Sequence, residues 1–361
     1  MGPLLSQHGE KEGLIRFSLI PMKYLIRSLL IRIGPHHKEP WWWSYIDHNA
    51  SRCQLDYLVI PVKRGKLNTV FSPSLIVVFI RVAFLLVQAR RKYRYIFTFE
   101  CGWESFLVAF IQTMTGCHRP RHIILQFIMR EKNDSLRSKM KYAFMRWCFV
   151  SVDRFICSSR SECKYYGEVF GLDGEKFHYI PFHSDPYLLT CQTKKEEGFL
   201  LSAGRTFRDY TTLLAAFKNL EVPLRIVASR SSIDPREATR NVEIQYDLPG
   251  PELIDLMSRC MAVVLPLENR MISIGQSVLL QAMTLGKAVI ATRVNGTEDY
   301  IEHMKTGILV PPNDPGAIQA AVSMLIGDGK LRSTLGLAAQ ERVKQMHLPR
   351  HYANAVSSLL Q

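Results

Sequence analysis

Short apolar runs rich in β-branched residues alternate along the chain with longer segments of helical periodicity. This alternation is typical of parallel sheets with helices on both faces. In the front half the pattern predicts strands at 25–33, 56–62, 95–100, 121–127, 154–159 and 177–182. The helices predicted between them are 74–92, 105–116, 135–153 and 160–171.

The alternation breaks at residues 186–198, which are mostly polar or charged, and it restarts at FLLSAG. The strands predicted after the break are 199–204, 223–229, 242–248, 261–267, 287–292 and 307–311. The helices predicted there are 211–220, 251–260, 276–285, 296–303 and 315–327, with helical sequence beyond and a break at Pro349.

These patterns predict an α/β chain with two Rossmann-like, doubly wound domains that face a cleft. Ligands of such sheets bind at the carboxyl ends of the strands. The expected divisions are an N-terminal extension 1–21, a first domain 22–190, a second domain 191–345 and a C-terminal helix 346–361 that packs back on the first domain.

Charge is distributed unevenly between the two halves. The chain of 361 residues has 46 Lys and Arg against 32 Asp and Glu. Residues 1–190 hold 27 of these bases and 15 of the acids. This excess indicates an anionic partner for the front half: a membrane surface, an acidic saccharide or a nucleic acid. Nucleic acid is the least favoured, because the sequence contains no recognised nucleic-acid motif.

Several sequence features indicate the compartment. The eight cysteines form no C-x-x-C pair, so we expect reduced thiols and no metal site. The N-terminus has no clear apolar signal region. The longest apolar run, 74–88, is interrupted by Arg81 and falls short of the roughly 20 residues of a membrane span, which predicts a helix buried against a sheet. We therefore expect a cytoplasmic protein, at the inner face of the cell membrane if it meets lipid.

The segment FLLSAGRTFRDY at 199–210 is a candidate anion site. A strand ends there at a small-residue turn containing Gly204, followed by Arg205 and Arg208. Glycine permits close approach of a ligand to the backbone, and two guanidinium groups suit a diphosphate.

The segment MISIGQSVLLQAMTLGKAVIAT at 271–292 is a second candidate. Gly275 precedes a predicted helix that starts near Gln276 and Ser277. The free N–H groups and the dipole at a helix start favour a phosphate. Together, the two segments predict a binding site for a nucleoside diphosphate.

The back half resembles the nucleotide-sugar-binding domain of GT-B glycosyltransferases, family 4 (group 1). The matching segments are SAGRTFRDYTTLLAAF, PELIDLMSRCMAVVLPL and GQSVLLQAMTLGKAVIATRVNGTEDYIEHMKTGILVPPNDPGAIQAAVSMLIGD. In the front half, VDRFICSSRSECKYYGEVFGLDGEKFHYIPFHSDP resembles the last segment of the family's first domain. Residues 1–150 share with the family only the alternation of predicted strands and helices.

This chain departs from the family's Glu-x7-Glu pattern. The two glutamate positions correspond to Ser273 and Gln281. In the family the first contacts the donor sugar and the second the ribose. A glutamine can still bind ribose hydroxyls, whereas a serine lacks a carboxylate.

Candidate acceptor and acid–base residues are placed in the first domain and at its end. Glu100 follows a strand, Glu104 opens the next helix, and His183 lies near the domain junction. We expect Glu100 and His183 to be catalytic and Glu104 to face the acceptor. The sequence IGPHHKEPWWWSY contributes the remaining acceptor candidates, His36, His37 and Trp41. The basic and aromatic stretch 130–154 is either a membrane-facing surface or an ordinary solvated helix face.

The resemblance implies a glycosyltransferase that uses a nucleoside-diphosphate sugar and a saccharide or lipid-linked acceptor. It further implies a retaining, metal-independent reaction in polysaccharide or envelope glycan synthesis, with no cofactor beyond the co-substrate. No Asp-x-Asp motif is present for a metal-held diphosphate, and no P-loop, nicotinamide or esterase motif is found. A non-catalytic GT-B scaffold that binds a nucleotide is the alternative, because Ser273 and Gln281 replace the two glutamates.

Overall fold

The computed structural model describes residues 26–33, 53–60, 73–191, 194–237 and 240–360. Within them, two parallel sheets of six strands are each covered by helices. This arrangement confirms the predicted α/β fold with two doubly wound sheets.

The first sheet has the strand order β2-β1-β3-β4-β5-β6. Its strands are β1 (Ile26–Ile33), β2 (Cys53–Ile60), β3 (Tyr95–Phe99), β4 (Arg121–Leu125), β5 (Val152–Cys157) and β6 (Phe177–Tyr179). The helices that follow or connect them are α1 (Pro73–Lys92), α2 (Trp103–Thr115), α3 (Leu136–Phe149) and α4 (Arg160–Phe170).

The second sheet has the order β12-β11-β10-β7-β8-β9. Its strands are β7 (Leu200–Ala203), β8 (Leu224–Ala228), β9 (Val242–Tyr246), β10 (Ala262–Leu265), β11 (Ala288–Thr292) and β12 (Ile308–Val310). Its helices are α5 (Tyr210–Phe217), α6 (Gly250–Arg259), α7 (Gln276–Thr284), α8 (Pro315–Gly327) and α9 (Gly329–Met346). Both sheets are buried on two faces, which explains why their strands are nearly continuous apolar runs.

The last helix, α10 (Pro349–Ser358), returns to the first sheet. Tyr352, Ala353 and Val356 pack in the same buried cluster as Leu30 and Phe97. The chain therefore connects the two domains both at residues 180–190 and at its end.

One predicted helix, 296–303, is wrong. The segment forms turns, because Gly296 has a left-handed φ of +96° that a helix does not allow. The Thr297 hydroxyl accepts a hydrogen bond from the Val294 N–H at 3.0 Å and donates one to the Thr292 carbonyl at 2.8 Å, which stabilises the turn. The other predicted elements exist, with ends that differ by four residues or fewer.

The expectation that the 74–88 segment is a buried helix is half correct. Val78, Val82 and Leu86 are buried against the sheet, whereas Ile80 and Phe84 are exposed. Among the described residues, no helix is both long and apolar enough to cross a bilayer.

Candidate functional site

The turn after β7 is built around a close contact between Gly204 and Arg208. Gly204 has a φ of +150°, and a Cβ placed there would stand 2.2 Å from Nε of Arg208. The guanidinium is held by the backbone, with Nε donating to the Ala203 carbonyl at 3.1 Å and Nη1 to the Thr206 carbonyl at 3.0 Å. Only a glycine at 204 leaves room for this conformation of Arg208.

The charge of Arg208 is therefore fixed at the end of a central strand. Burial lowers the pKa of its guanidinium, yet an arginine keeps its proton at neutral pH because its ordinary pKa exceeds 12. Arg205 differs: it is exposed, and its Nε lies 3.9 Å from the carboxylate of Asp247. Arg208 is thus the preorganised cation of the pair and Arg205 the solvent-exposed one.

The start of α7 lies beside this turn. Gly275 precedes the helix with a φ of +86°, and no side chain of the described residues caps the helix start. A Cβ on Gly275 would stand 3.0 Å from the Leu267 side chain. Leu267 also forms a backbone bridge with Arg208. Because β7 and β10 are parallel neighbours, the arginine turn and the helix start share one edge of the sheet.

Two amide side chains of α7 have buried atoms without a hydrogen-bond partner among the described residues. These atoms are Nε2 of Gln276 and Oε1 of Gln281. A buried polar atom that the protein leaves unpaired indicates a place for water or ligand. Ser277, in the first turn, is exposed. Binding of the nucleotide-sugar donor by these α7 residues stays a prediction.

Ser273 is different, because it is buried and faces the first domain. Its backbone N–H donates to Oε1 of Glu162 at 2.7 Å. Oε2 of Glu162 accepts from the Ser158 N–H at 3.1 Å. The pKa of the Glu162 carboxyl is raised from its ordinary value, because burial raises it by more than these hydrogen bonds lower it. A carboxylate from the first domain thus lies beside the position of the family's first glutamate.

Glu162 was not among the predicted site residues. The available signal was Ser159-x-x-Glu162, the spacing of a capping box at the start of α4. The Ser159 hydroxyl does accept from the Glu162 N–H at 3.1 Å. One oxygen of the Glu162 carboxylate accepts from the nearby Ser158 N–H, and the other accepts from Ser273 in the other domain, which no local pattern reveals.

Further hydrogen bonds join the domains beside this one. Glu131 of the first domain accepts hydrogen bonds from the Met271 N–H and, at 3.4 Å, from Nη1 of Arg270. The Arg160 N–H donates to Asp299 at 2.9 Å. Ile272 and Ile274 are buried within the core cluster of the first domain, so the loop between β10 and α7 is clamped between the domains.

The predicted acid–base residues occupy three different environments. Glu100 is exposed at the carboxyl end of β3, with a φ of +51°. Glu104 is buried in the first turn of α2, with its carboxylate folded over Gly102.

His183 is buried near the domain junction. Its ring stacks on Phe182 at 5.3 Å and meets the ring of Tyr352 edge-on at 5.2 Å. Burial lowers the pKa of His183 to about 4, so the imidazole is neutral at pH 7. These contacts describe a packed side chain, and its catalytic role stays a prediction.

The residues predicted to bind the sugar acceptor, His36, His37 and Trp41, lie outside the described residues. Within the described part of the chain, no group of three or more His, Cys, Asp or Glu side chains is placed to hold a metal ion.

Sequence comparisons find a similarity to a known family in the second domain. Residues 200–328 match the family model described as "Glycosyl transferases group 1". The D-rhamnosyltransferase WbpZ of Pseudomonas aeruginosa is 25% identical over an alignment of 256 residues, which covers 65% of this chain and 66% of that protein. The human alpha-1,3/1,6-mannosyltransferase is 34% identical over 96 residues, 27% of this chain and 22% of that protein. The chain thus spans about two thirds of the first relative and about a fifth of the second.

Solved structures share the architecture over nearly the whole chain. HepE of Anabaena in complex with UDP has a TM-score of 0.65 at 15% identity, covering 92% of this chain and 99% of that chain. Sucrose-phosphate synthase of Thermosynechococcus elongatus has a TM-score of 0.66 at 16% identity, covering 93% and 98%. These likenesses confirm the predicted GT-B fold.

Proposed function

Since the second domain is a glycosyltransferase domain of the group 1 type in a chain with the GT-B fold, we propose that the protein transfers a sugar from a nucleoside-diphosphate sugar to a saccharide or lipid-linked acceptor. One observation carries this proposal. The guanidinium of Arg208, fixed over Gly204, and the uncapped start of α7 share one edge of the sheet.

This edge fits the leaving group of the reaction. When the sugar–phosphate bond breaks, negative charge develops on the diphosphate. Arg208, Arg205 and the N–H groups at Gln276 and Ser277 provide donors for that charge, and donors fixed in advance need no reorganisation during the reaction. Each charge-assisted hydrogen bond contributes about 1.5–3 kcal/mol.

Gln276 and Gln281 supply unpaired polar atoms on the same helix. We assign Gln281 to the ribose hydroxyls, which a neutral amide can both donate to and accept from. The first domain would bind the acceptor, and closure of the domains would exclude the water that hydrolyses the donor.

The proposed reaction is retaining and needs no metal ion, with the leaving diphosphate helping to deprotonate the acceptor. If the enzyme instead inverts configuration, Glu100 is the proposed base, because it is exposed at the carboxyl end of a central strand. We place the reaction in polysaccharide or envelope glycan synthesis in the cytoplasm. The sugar transferases among the relatives support the transfer of a sugar.

A non-catalytic scaffold that binds a nucleotide is the second candidate. The observation that favours it is at Ser273, where the family's donor-sugar carboxylate is replaced by a buried serine whose N–H is bound to Glu162. On this hypothesis the edge of the sheet that carries Arg208 and the start of α7 still binds a diphosphate, and sugar transfer is lost.

Release of nucleoside diphosphate separates the two candidates. The purified protein is incubated with a panel of nucleoside-diphosphate sugars, with and without glycan and lipid-linked acceptors, and products are followed by mass spectrometry. The enzyme hypothesis predicts acceptor-dependent release and a glycosylated product, both lost in Arg208→Ala and kept in Arg236→Ala, which changes an exposed arginine. Nucleotide binding without release across the panel would support the scaffold.

A further inference from the structure

Helix α1 exposes a row of apolar side chains on the side opposite the sheet. The row consists of Val77, Ile80, Phe84 and Val87, spaced three or four residues apart, and these side chains are 49% to 67% exposed. Such spacing aligns residues along one helix face. Burial against the sheet explains Val78 and Val82 on the opposite face, but it does not explain this row.

Helix α3 carries a second row of the same kind. Leu136, Met140, Phe144 and Trp147 are 42% to 74% exposed. The buried residues of this helix, such as Met145 and Cys148, lie on its other side.

The helix between them, α2, joins the two rows. Phe110 packs on Phe79 of α1 with ring centroids 6.1 Å apart and on Trp147 of α3 at 5.8 Å. Phe106 packs on Phe144 at 5.8 Å. The three helices therefore form one layer, and we call the two exposed rows on it the apolar helical face.

Positive charge surrounds this face. Neither α1 nor α3 contains an Asp or Glu, and each contains four basic residues: Arg81, Arg90, Arg91 and Lys92 on α1, and Arg137, Lys139, Lys141 and Arg146 on α3. At 100° per residue, Arg137 and Lys141 lie on one side of the α3 row, and Lys139 and Arg146 on the other. The acids nearest to α3 in sequence are the exposed Asp134, 3.8 Å from Lys139, and Glu131, which is bound to the second domain. On α1, Lys92 is paired with Asp56 at 3.3 Å.

We infer that the apolar helical face docks on the surface of an anionic lipid bilayer, with the helix axes in the plane of the membrane. The apolar interior of a bilayer can receive the two rows of apolar side chains. The lipid phosphate groups at its surface can bind the basic residues on both sides of the rows. Long basic side chains can extend to the headgroups while their stems cover apolar surface. The inference rests on this surface alone and does not depend on transferase activity.

Vesicle sedimentation of the full chain tests this inference. Vesicles of phosphatidylcholine alone are compared with vesicles that also contain phosphatidylglycerol, at low and at high salt. We expect binding to the anionic vesicles only, and weaker binding at high salt, since salt screens surface charge.

Two variants and a matched control test the assignment to this face. Phe84→Ser combined with Met140→Ser should lower partitioning at least about tenfold, because both side chains would enter the headgroup region. Lys139→Glu with Arg81→Glu should remove the preference for phosphatidylglycerol. Leu337→Ser, which changes an equally exposed leucine of the second domain, should leave binding unchanged. Thermal melts establish that each variant is folded.

Two results would overturn the inference. One is unchanged vesicle binding in the folded Phe84→Ser/Met140→Ser variant, or no binding of the wild type to anionic vesicles. The other is a dimer in analytical ultracentrifugation that this variant abolishes, since a second copy of the chain would then be the occupant of the face.

Discussion

The carboxylate of Glu162 in the first domain accepts a hydrogen bond from the backbone N–H of Ser273 in the second, at 2.7 Å. The two residues are 111 positions apart, and both are buried. This contact fixes the loop that leads into α7 and joins the second domain to the first. It also occupies the neighbourhood in which the family places its first glutamate.

Removing the Glu162 carboxylate should break this contact between the domains and lower the stability of the protein. In Glu162→Ala, the N–H groups of Ser158 and Ser273 lose their acceptor, and a buried unsatisfied donor costs about 1–3 kcal/mol. We expect the free energy of unfolding, measured by urea denaturation, to fall by about 2–4 kcal/mol. Glu168→Ala, which removes an exposed acid from the same helix, should change it by less than about 0.5 kcal/mol. Equal effects of the two variants would show that the contact is not stabilising.

Restoring the family's glutamate should be harmful while Glu162 is present. Ser273→Glu brings a second carboxylate beside the first in a buried place, and the space is small, since a Cβ on Gly296 would stand 2.9 Å from the Ser273 hydroxyl. We expect a lower melting temperature, partly restored in the double variant Ser273→Glu/Glu162→Gln. Thermal unfolding of the two single variants and the double variant gives their coupling. Additive effects would contradict proximity of the two side chains.

Gly204 should control nucleotide affinity through Arg208. In Gly204→Ala the new Cβ overlaps the guanidinium, which must leave its position over the backbone. Loss of one charge-assisted interaction of about 1.5–3 kcal/mol corresponds to a rise in Kd of roughly 10- to 150-fold, measured by calorimetry with the nucleoside diphosphate that binds. Gly174→Ala is the control, because nothing lies within 4 Å of a Cβ there. An unchanged Kd in folded Gly204→Ala would show that the turn after β7 is not part of the nucleotide-binding site.

The pattern of apolar runs was sufficient to predict both sheets and the edge that carries Arg208 and Gly275. Parallel neighbouring strands end at the same edge, so two glycine turns far apart in sequence could be placed together. The helix predicted at 296–303 failed because the hydrogen bonds of Thr297 stabilise a turn there. The contact of Glu162 with Ser273 could not be found from sequence, because the N–H group involved belongs to the other domain. The exposed row on α1 was also missed, since an apolar segment does not reveal which of its faces is covered.

Two buried histidines near the domain junction should make stability depend on pH. Burial lowers the pKa of His183 and of His347 to about 4, from an ordinary 6.5. Between these values the unfolded chain binds more protons than the native protein, so stability falls as pH falls from 6.5 toward 4. Each histidine contributes a slope of at most about 1.4 kcal/mol per pH unit.

Urea denaturation of the His183→Gln variant across this pH range measures that contribution. The variant should show a shallower loss of stability than the wild type as pH falls. His118→Gln, which changes an exposed histidine, is the control and should follow the wild type. A slope in His183→Gln equal to that of the wild type would show that His183 is not buried in its neutral form.

Calorimetric titration with a panel of nucleoside diphosphates tests the central claim, that the edge of the second sheet binds a diphosphate through Arg208. The wild type should bind one nucleoside diphosphate more tightly than the others. Arg208→Ala should weaken that binding roughly 10- to 150-fold, as expected for a lost interaction of about 1.5–3 kcal/mol, while Arg236→Ala should leave it unchanged. Absence of binding to the folded wild type, or equal affinity in Arg208→Ala, would contradict the account.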